Sequence, residues 1–210
     1  MRLRFSPSSP FVRKVMATAI ELGLEVRLEL QPTQVWDPAS DLPKVNPLGK
    51  VPALELADGS VLYDSPVICE YLAAEVSEPV LFPPPGPARW TMLRRAALAD
   101  GILDAAVGQV VETRRRPSEF VYQGWCQRLA DAVERALDAF EAEVSELPGL
   151  DYATLTLGVA LGYLDFRFAE RDWRPGRPAL EAWNAEFSRR PSLARTVPQD
   201  PAKDSAKDSG

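Results

Sequence analysis

The chain has 210 residues, enough for one large domain or two small ones, and carries 24 basic against 30 acidic side chains for a net charge of −6. That balance argues against nucleic acid, which needs a clustered basic surface, and no run approaches the roughly 20 apolar residues of a bilayer span. Histidine is absent, which excludes Ser-His-Asp and Cys-His nucleophile pairs and histidine-ligated zinc, while two distant cysteines, Cys69 and Cys126, cannot build a four-cysteine cluster.

In chain order, Arg2–Phe5 reads as a strand. Pro10–Leu22 reads as a helix with Val12, Val15, Met16, Ala19 and Ile20 on one face, and Gly23 stands where a helix C-cap is expected. Val26–Leu30 alternates apolar and polar residues, which predicts a second strand, and a polar loop follows through Trp36–Pro43. The apolar runs Val51–Leu56 and Val61–Tyr63 flank Ala57-Asp58-Gly59-Ser60, whose Asp-Gly pair marks a hairpin. Pro66–Ala74 then reads as a helix. This β-α-β, β-β-α order predicts an α/β thioredoxin-like domain over residues 1–78.

Residues 79–87 read as a linker, because Glu78–Pro87 holds five prolines. From there the period is helical: Ala88–Arg116, Pro117–Glu146, Ala153–Phe168 and Ala179–Arg189 predict an all-α domain over residues 88–197. The run Arg114-Arg115-Arg116 reads as a helix C-terminus complementing the macrodipole. Asp151 is the expected N-cap of the third helix, with Thr154 giving a weakened reciprocal box. Gly158 and Gly162 predict close packing. The tail, residues 198–210, repeats AKDS and is expected to be disordered. The start, Met1–Pro7, lacks the apolar core of a signal peptide, and both cysteines read as buried thiols of a reducing compartment. The expected location is cytoplasmic.

The stretch Asn46–Ser65 (NPLGKVPALELADGSVLYDS) combines a Val-Pro step, a hairpin and an acid-hydroxyl pair at a helix start, where backbone donors attract anions. With Phe5–Lys14 (FSPSSPFVRK) before it, and Ala160–Arg167 (ALGYLDFR) and Arg190-Pro191-Ser192 after it, this stretch resembles the cytosolic glutathione transferases of the bacterial, serine-type kind. The likeness covers residues 1 to about 198. It implies a thioredoxin-like amino-terminal half, a helical carboxy-terminal half, glutathione as co-substrate without a metal, an electrophilic small molecule as second substrate, and a homodimer.

Ser9 is on its own terms an N-cap, since it precedes Pro10 at a helix start. The resemblance gives it a second role. A hydroxyl beside the positive end of a helix dipole can stabilise a thiolate, and lowering a thiol from about 8.5 by about two units requires about 2.7 kcal/mol. Ser6 and Ser8, on the same loop, compete for the role. A serine cannot form a mixed disulfide, so protein-based thiol–disulfide exchange is disfavoured.

The resemblance further implies a cis Val51–Pro52 bond, with Val51 offering its backbone to the cysteinyl part of glutathione. Asp64 would face the γ-glutamyl ammonium, Ser65 and the helix start its carboxylate, and Lys50 the glycine carboxylate. Asp100 would approach a ligand across the dimer interface, unless it is a polar helix-face residue. Phe11, Trp90 and Arg94 are expected around the electrophile. The alternatives are a non-catalytic glutathione- or protein-binding member of the same fold and, less favoured, a glutathione-dependent reductase.

Overall fold

The computed structural model describes residues 1–77 and 81–200. It opens with β1 (Arg2–Phe5) and α1 (Pro10–Glu21), then β2 (Glu29–Pro32), the short α2 (Leu42–Val45), β3 (Ala53–Glu55), β4 (Val61–Leu62) and α3 (Ser65–Ala74). The four strands form one sheet in the order β2-β1-β3-β4. β2 runs parallel to β1, and β3 runs antiparallel to both β1 and β4. Leu3 sits between Leu30 and Leu54 in register, and Leu3 and Leu54 are fully buried beneath α1 and α3. This is the thioredoxin-like arrangement expected from the element order.

The remaining described residues are helical: α4 (Pro87–Arg114), α5 (Gln123–Glu143), α6 (Tyr152–Arg167), α7 (Pro178–Phe187) and α8 (Pro191–Ala194). Every residue from Asp151 to Leu161 is buried, so the first part of α6 is enclosed on all sides within the second domain. Its neighbours are α4 and, across the domain boundary, α1, which also packs on α3 and α8. α1 is therefore the element shared by both cores. The entry to α6 is fixed to the segment before α4, where the Tyr152 N–H donates to the Leu81 carbonyl at 2.9 Å and the Phe82 and Tyr152 rings stack at 4.8 Å.

Several elements differ from expectation. The strand expected at Val26–Leu30 is displaced to Glu29–Pro32, and Glu25–Arg27 forms a 3-10 turn that leaves Val26 88% exposed. β2 is an edge strand with one neighbour, so its alternation did not have to match a buried face. The loop expected through Pro43 contains α2, whose Leu42 is buried. The helix expected from Pro117 begins six residues later, after a 3-10 turn at Ser118–Phe120, because the Tyr122 N–H is held by the Glu112 carboxylate at 3.0 Å. It ends at Glu143 in another 3-10 turn.

The box opening α6 is complete. Asp151 Oδ1 accepts from the Thr154 N–H at 2.7 Å, and the Asp151 N–H donates to Thr154 Oγ1 at 2.8 Å. A threonine hydroxyl thus closes the box as a longer acid would. A Cβ on Gly158 would stand 2.8 Å from Leu193 and one on Gly162 would strike the Arg13 guanidinium, so both glycines permit close helix packing. Cys69 is buried, whereas Cys126 is only half-buried on α5. Pro198 is buried, the Gln199 N–H donates to the Pro7 carbonyl at 3.2 Å, and Asp200 pairs with Arg167, so the chain remains anchored beyond the expected start of the tail. Residues 201–210 and the linker residues 78–80 lie outside the described residues.

Candidate functional site

The site begins where β1 gives way to α1. Ser9 caps the helix, with Oγ accepting from the Val12 N–H at 3.3 Å, and Pro10 occupies the first helical position. Because the Ser9 oxygen is the acceptor in that bond, its hydroxyl proton can still be donated elsewhere. The loop is tightened by the Ser9 N–H donating to the Ser6 carbonyl at 3.1 Å.

The second wall is the turn Asn46–Pro52. The Asn46 amide donates to the Lys50 carbonyl at 2.8 Å, and its oxygen accepts from the Leu48 N–H at 3.0 Å. Gly49 closes the turn with φ +61°, a left-handed conformation that suits glycine. The Val51–Pro52 bond is cis. Val51 is buried and lies outside the strand ladder, and among the described residues no backbone group pairs with its N–H or carbonyl. Arg4 fixes the base of this region by bonding Asp41 through two nitrogens at 3.0 Å and Glu55 at 2.8 Å.

The third component is the start of α3. Asp64 is its N-cap residue, exposed and without a side-chain cap bond, and Ser65 beneath it is 2% exposed. Asp64 is close enough to Asp100 and Asp104 on α4 for their charges to interact. Burial pushes the Asp100 carboxyl above its ordinary range, against the pull of the Lys14 ammonium that it binds. Burial and the Asp100 charge push Asp104 upward in the same way. Asp64, Asp100 and Asp104 thus cluster at this end of the site, with the Lys14 ammonium bound to Asp100.

A cleft of about 440 Å³ joins the serine loop and the Asn46 turn to the helical domain. Ser6, Ser8, Ser9, Phe11, Lys50 and Val51 line it on one side. Opposite stand Asp104, Val107, Val110, Val111 and Arg115 from α4 and its end, with Tyr163 and Arg167 from α6. Trp36 and Leu48 form its rim and are 57% and 63% exposed. A smaller cavity of about 180 Å³ also touches Ser9, between α1 and the chain near Thr196, but lacks Lys50 and Val51. The larger cleft is the one where the expected residues meet.

Of the expected residues, Ser9, Lys50, Val51 and Phe11 reach the cleft, with Pro52 next in the chain and Asp64 and Ser65 at the adjacent helix start. Trp90 and Arg94 do not. They lie one to two turns from the amino-terminal end of α4, with Trp90 68% exposed and Arg94 bound to Glu143 at 2.5 Å. The helix presents its carboxy-terminal half to the serine loop instead, so the cleft takes residues from Asp104 to Arg115. Asp100 is also absent from the wall, because Lys14 of the same chain holds it. Arg115 goes beyond the helix-end role read for its run, since it stacks on Trp36 with its guanidinium carbon 4.9 Å from the ring centroid. Tyr163 and Arg167 were missed as cleft residues. Their four-residue spacing puts them on one helix face and was the available signal.

A sheet in the order β2-β1-β3-β4 with a cis proline opening β3, joined to a helical domain whose long first helix closes a cleft over the α1 start, defines the glutathione transferase fold. Residues 8–75 match the family model for the glutathione S-transferase N-terminal domain. The chain is 32% identical over 202 residues to the uncharacterized GST-like protein YibF of Escherichia coli K12, covering 94% of this chain and 98% of that one. It is 44% identical to a glutathione transferase family member from Pseudomonas fluorescens Pf-5 solved with bound glutathione, covering 94% and 98% of the two chains with a TM-score of 0.89. A structure of a family member from the same organism with bound S-(propanoic acid)-glutathione gives 44% identity, 95% and 100% coverage and a TM-score of 0.86. The chain belongs to the glutathione transferase family.

Proposed function

We propose that this protein is a glutathione transferase in the catalytic sense, binding glutathione across the serine loop, the Asn46 turn and the start of α3, and conjugating it to an electrophile in the adjoining apolar cleft. The observation that carries this reading is the meeting of the Ser9 hydroxyl and the unpaired Val51 backbone on one cleft whose far side carries Val107, Val110 and Val111. Val51 binds the cysteinyl backbone as a strand would. Asp64, clustered with Asp100 and Asp104, takes the γ-glutamyl ammonium, and Ser65 with the α3 amides takes the neighbouring carboxylate. Lys50 takes the glycine carboxylate.

In this reading Ser9 donates its proton to the sulfur. The thiol proton leaves to solvent, the thiolate forms the new S–C bond, and the electrophile releases a leaving group or accepts the displaced π pair as a protonated carbanion. The relatives with glutathione or a glutathione thioether bound support the ligand assignment. Serine in place of cysteine supports conjugation over disulfide reduction. We place the protein in the cytoplasm, in detoxification-type chemistry, as a homodimer. Exposed Trp90 and Val67, beside the Arg89–Glu70 pair that joins α4 to α3, support the dimer.

The test is ultraviolet titration of the thiolate of bound glutathione in the wild type and in Ser9→Ala, Ser6→Ala and Ser8→Ala. A thiolate midpoint raised by about one to two pH units in Ser9→Ala alone is the expected result, since a bond to a charged group contributes about 1–3 kcal/mol. Bound glutathione that titrates like the free thiol in the wild type would leave the non-catalytic alternative in its place.

A further inference from the structure

The far wall of the cleft carries two guanidinium groups, Arg115 and Arg167, in a chain whose net charge is −6. Resting on the glutathione reading above, we infer that these arginines select an electrophile bearing a carboxylate. Arg167 is the anchor. Its side chain is only 10% exposed, its Nη1 is held by Asp200 at 2.7 Å, and its guanidinium carbon lies 4.0 Å from the Phe166 ring centroid. Among the described residues its buried Nε has no hydrogen-bond partner. A buried donor without an acceptor is costly, and a ligand oxygen would satisfy it.

Arg115 stands on the same wall and makes no ion pair among the described residues. Its guanidinium carbon lies 4.9 Å from the Trp36 ring centroid, a cation–π contact that uses no hydrogen-bond donor. The fork of Arg115 and the unpartnered Nε of Arg167 offer donors on one wall to a planar carboxylate, and an Arg–carboxylate contact is both stronger and more directional than a lysine contact. The same cleft is lined by Phe11, Val107, Val110 and Val111, an apolar surface for the body of such an acid. The one carboxylate lining this wall is Asp104, about three turns before Arg115 along α4.

The cleft thus fits an electrophile with an apolar body that bears a carboxylate. With an unsaturated acid, the glutathione sulfur bonds to the β-carbon and the C=C π pair moves to the α-carbon. That carbon takes a proton from water, and the product is a carboxyalkyl thioether. The reaction is an addition without a redox change, and its only co-reactant is glutathione.

The experiment is calorimetric titration with matched thioethers of glutathione, carboxyethyl against carbamoylethyl and para-carboxybenzyl against para-carbamoylbenzyl, with free glutathione as reference. Each pair differs in charge and hardly in shape. Wild type should bind at least one acid about tenfold more tightly than its amide. Arg115→Gln and Arg167→Gln should each remove most of that preference while leaving free glutathione affinity within about twofold. Arg115→Gln is the safer probe of the two, because this residue has no ion pair to lose. Equal affinity for acid and amide in both pairs, with normal glutathione binding, would overturn the carboxylate selection and leave the glutathione reading standing. A loss of free glutathione affinity in either variant would show that the arginines serve glutathione itself, which also overturns the inference. No binding of glutathione or of any thioether would remove both readings.

Discussion

Lys14 of α1 and Asp100 of α4 form an ion pair across the boundary between the two domains, with the lysine side chain fully buried and the aspartate side chain 20% exposed. The ammonium also lies 5.4 Å from the Tyr152 ring centroid and 5.9 Å from that of Phe11. Two domains and two aromatic faces therefore converge on one charge. The pair holds Asp100, which does not line the cleft, and ties α4 to α1.

Lys14→Met should be strongly destabilising, because it leaves Asp100 without its cation in a largely buried position. Loss of one partner of a buried pair costs about 3–5 kcal/mol, whereas replacing both by apolar groups of similar volume is often nearly neutral. Urea unfolding of Lys14→Met and of Lys14→Met/Asp100→Leu should therefore place the double variant well above the single one. A double variant as unstable as the single would mean that the lysine stem, rather than the charge balance, is what the fold needs.

Asp64→Ala should weaken glutathione binding by about tenfold with little change in unfolding midpoint. The Asp64 side chain makes no cap bond and is exposed, so the fold does not depend on it, whereas a charge-assisted bond to an ammonium is worth more than a neutral one. Calorimetry with glutathione reads the affinity. An affinity within twofold of wild type would remove Asp64 from the binding set.

Glu21 makes the protein acid-sensitive at a defined point. Its carboxylate receives two bonds from Arg190, at 2.8 and 2.9 Å, and one from the Ser192 hydroxyl at 2.5 Å, tying α1 to α8. The Arg190 contact, aided by Ser192 and opposed by burial, holds its pKa below the ordinary 4.5. A folded pKa below the unfolded one adds stability that is complete above 4.5 and is lost as pH falls through the folded value. In Glu21→Gln the fall in stability below pH 4.5 should be shallower than in wild type. Parallel acid limbs for the two proteins would refute the assignment.

The two thiols should differ in reactivity. Cys69 is fully buried, its sulfur accepts from the Thr18 hydroxyl at 3.3 Å, and burial pushes its pKa to about 11. Cys126 is half-buried on α5. At pH 8 a small disulfide reagent should titrate one thiol in the native protein, assigned to Cys126 by peptide mapping, and the second only in denaturant. Rapid native labelling of Cys69 would show that the seam around Lys14 opens readily.

The sequence by itself determined the features that follow from short-range chemistry. Ser9-Pro10 can only begin a helix economically, and it does so with the expected cap. Asp58-Gly59 forms the hairpin, with Gly59 at φ +88° and Asp58 Oδ1 accepting from both the Ser60 N–H and hydroxyl, at 2.9 and 2.7 Å. The start of α3 and the order of the elements were legible for the same reason, since each is settled within a few residues. Position within a sheet or along a long helix is not. β2 slid three residues because an edge strand has one partner to satisfy, and α5 began late because a distant carboxylate, Glu112, captured the Tyr122 amide. The cleft wall was decided in the same way. The turns carrying Trp90, Arg94 and Asp104 and the helix end at Arg115 look alike in period, and only the tertiary placement of α4, tied to α1 by Lys14 and Asp100, selects which of them reach the cleft. Arg167 shares the cleft with Arg115, 52 positions away, because α6 packs beside α4, a juxtaposition that no local pattern can encode.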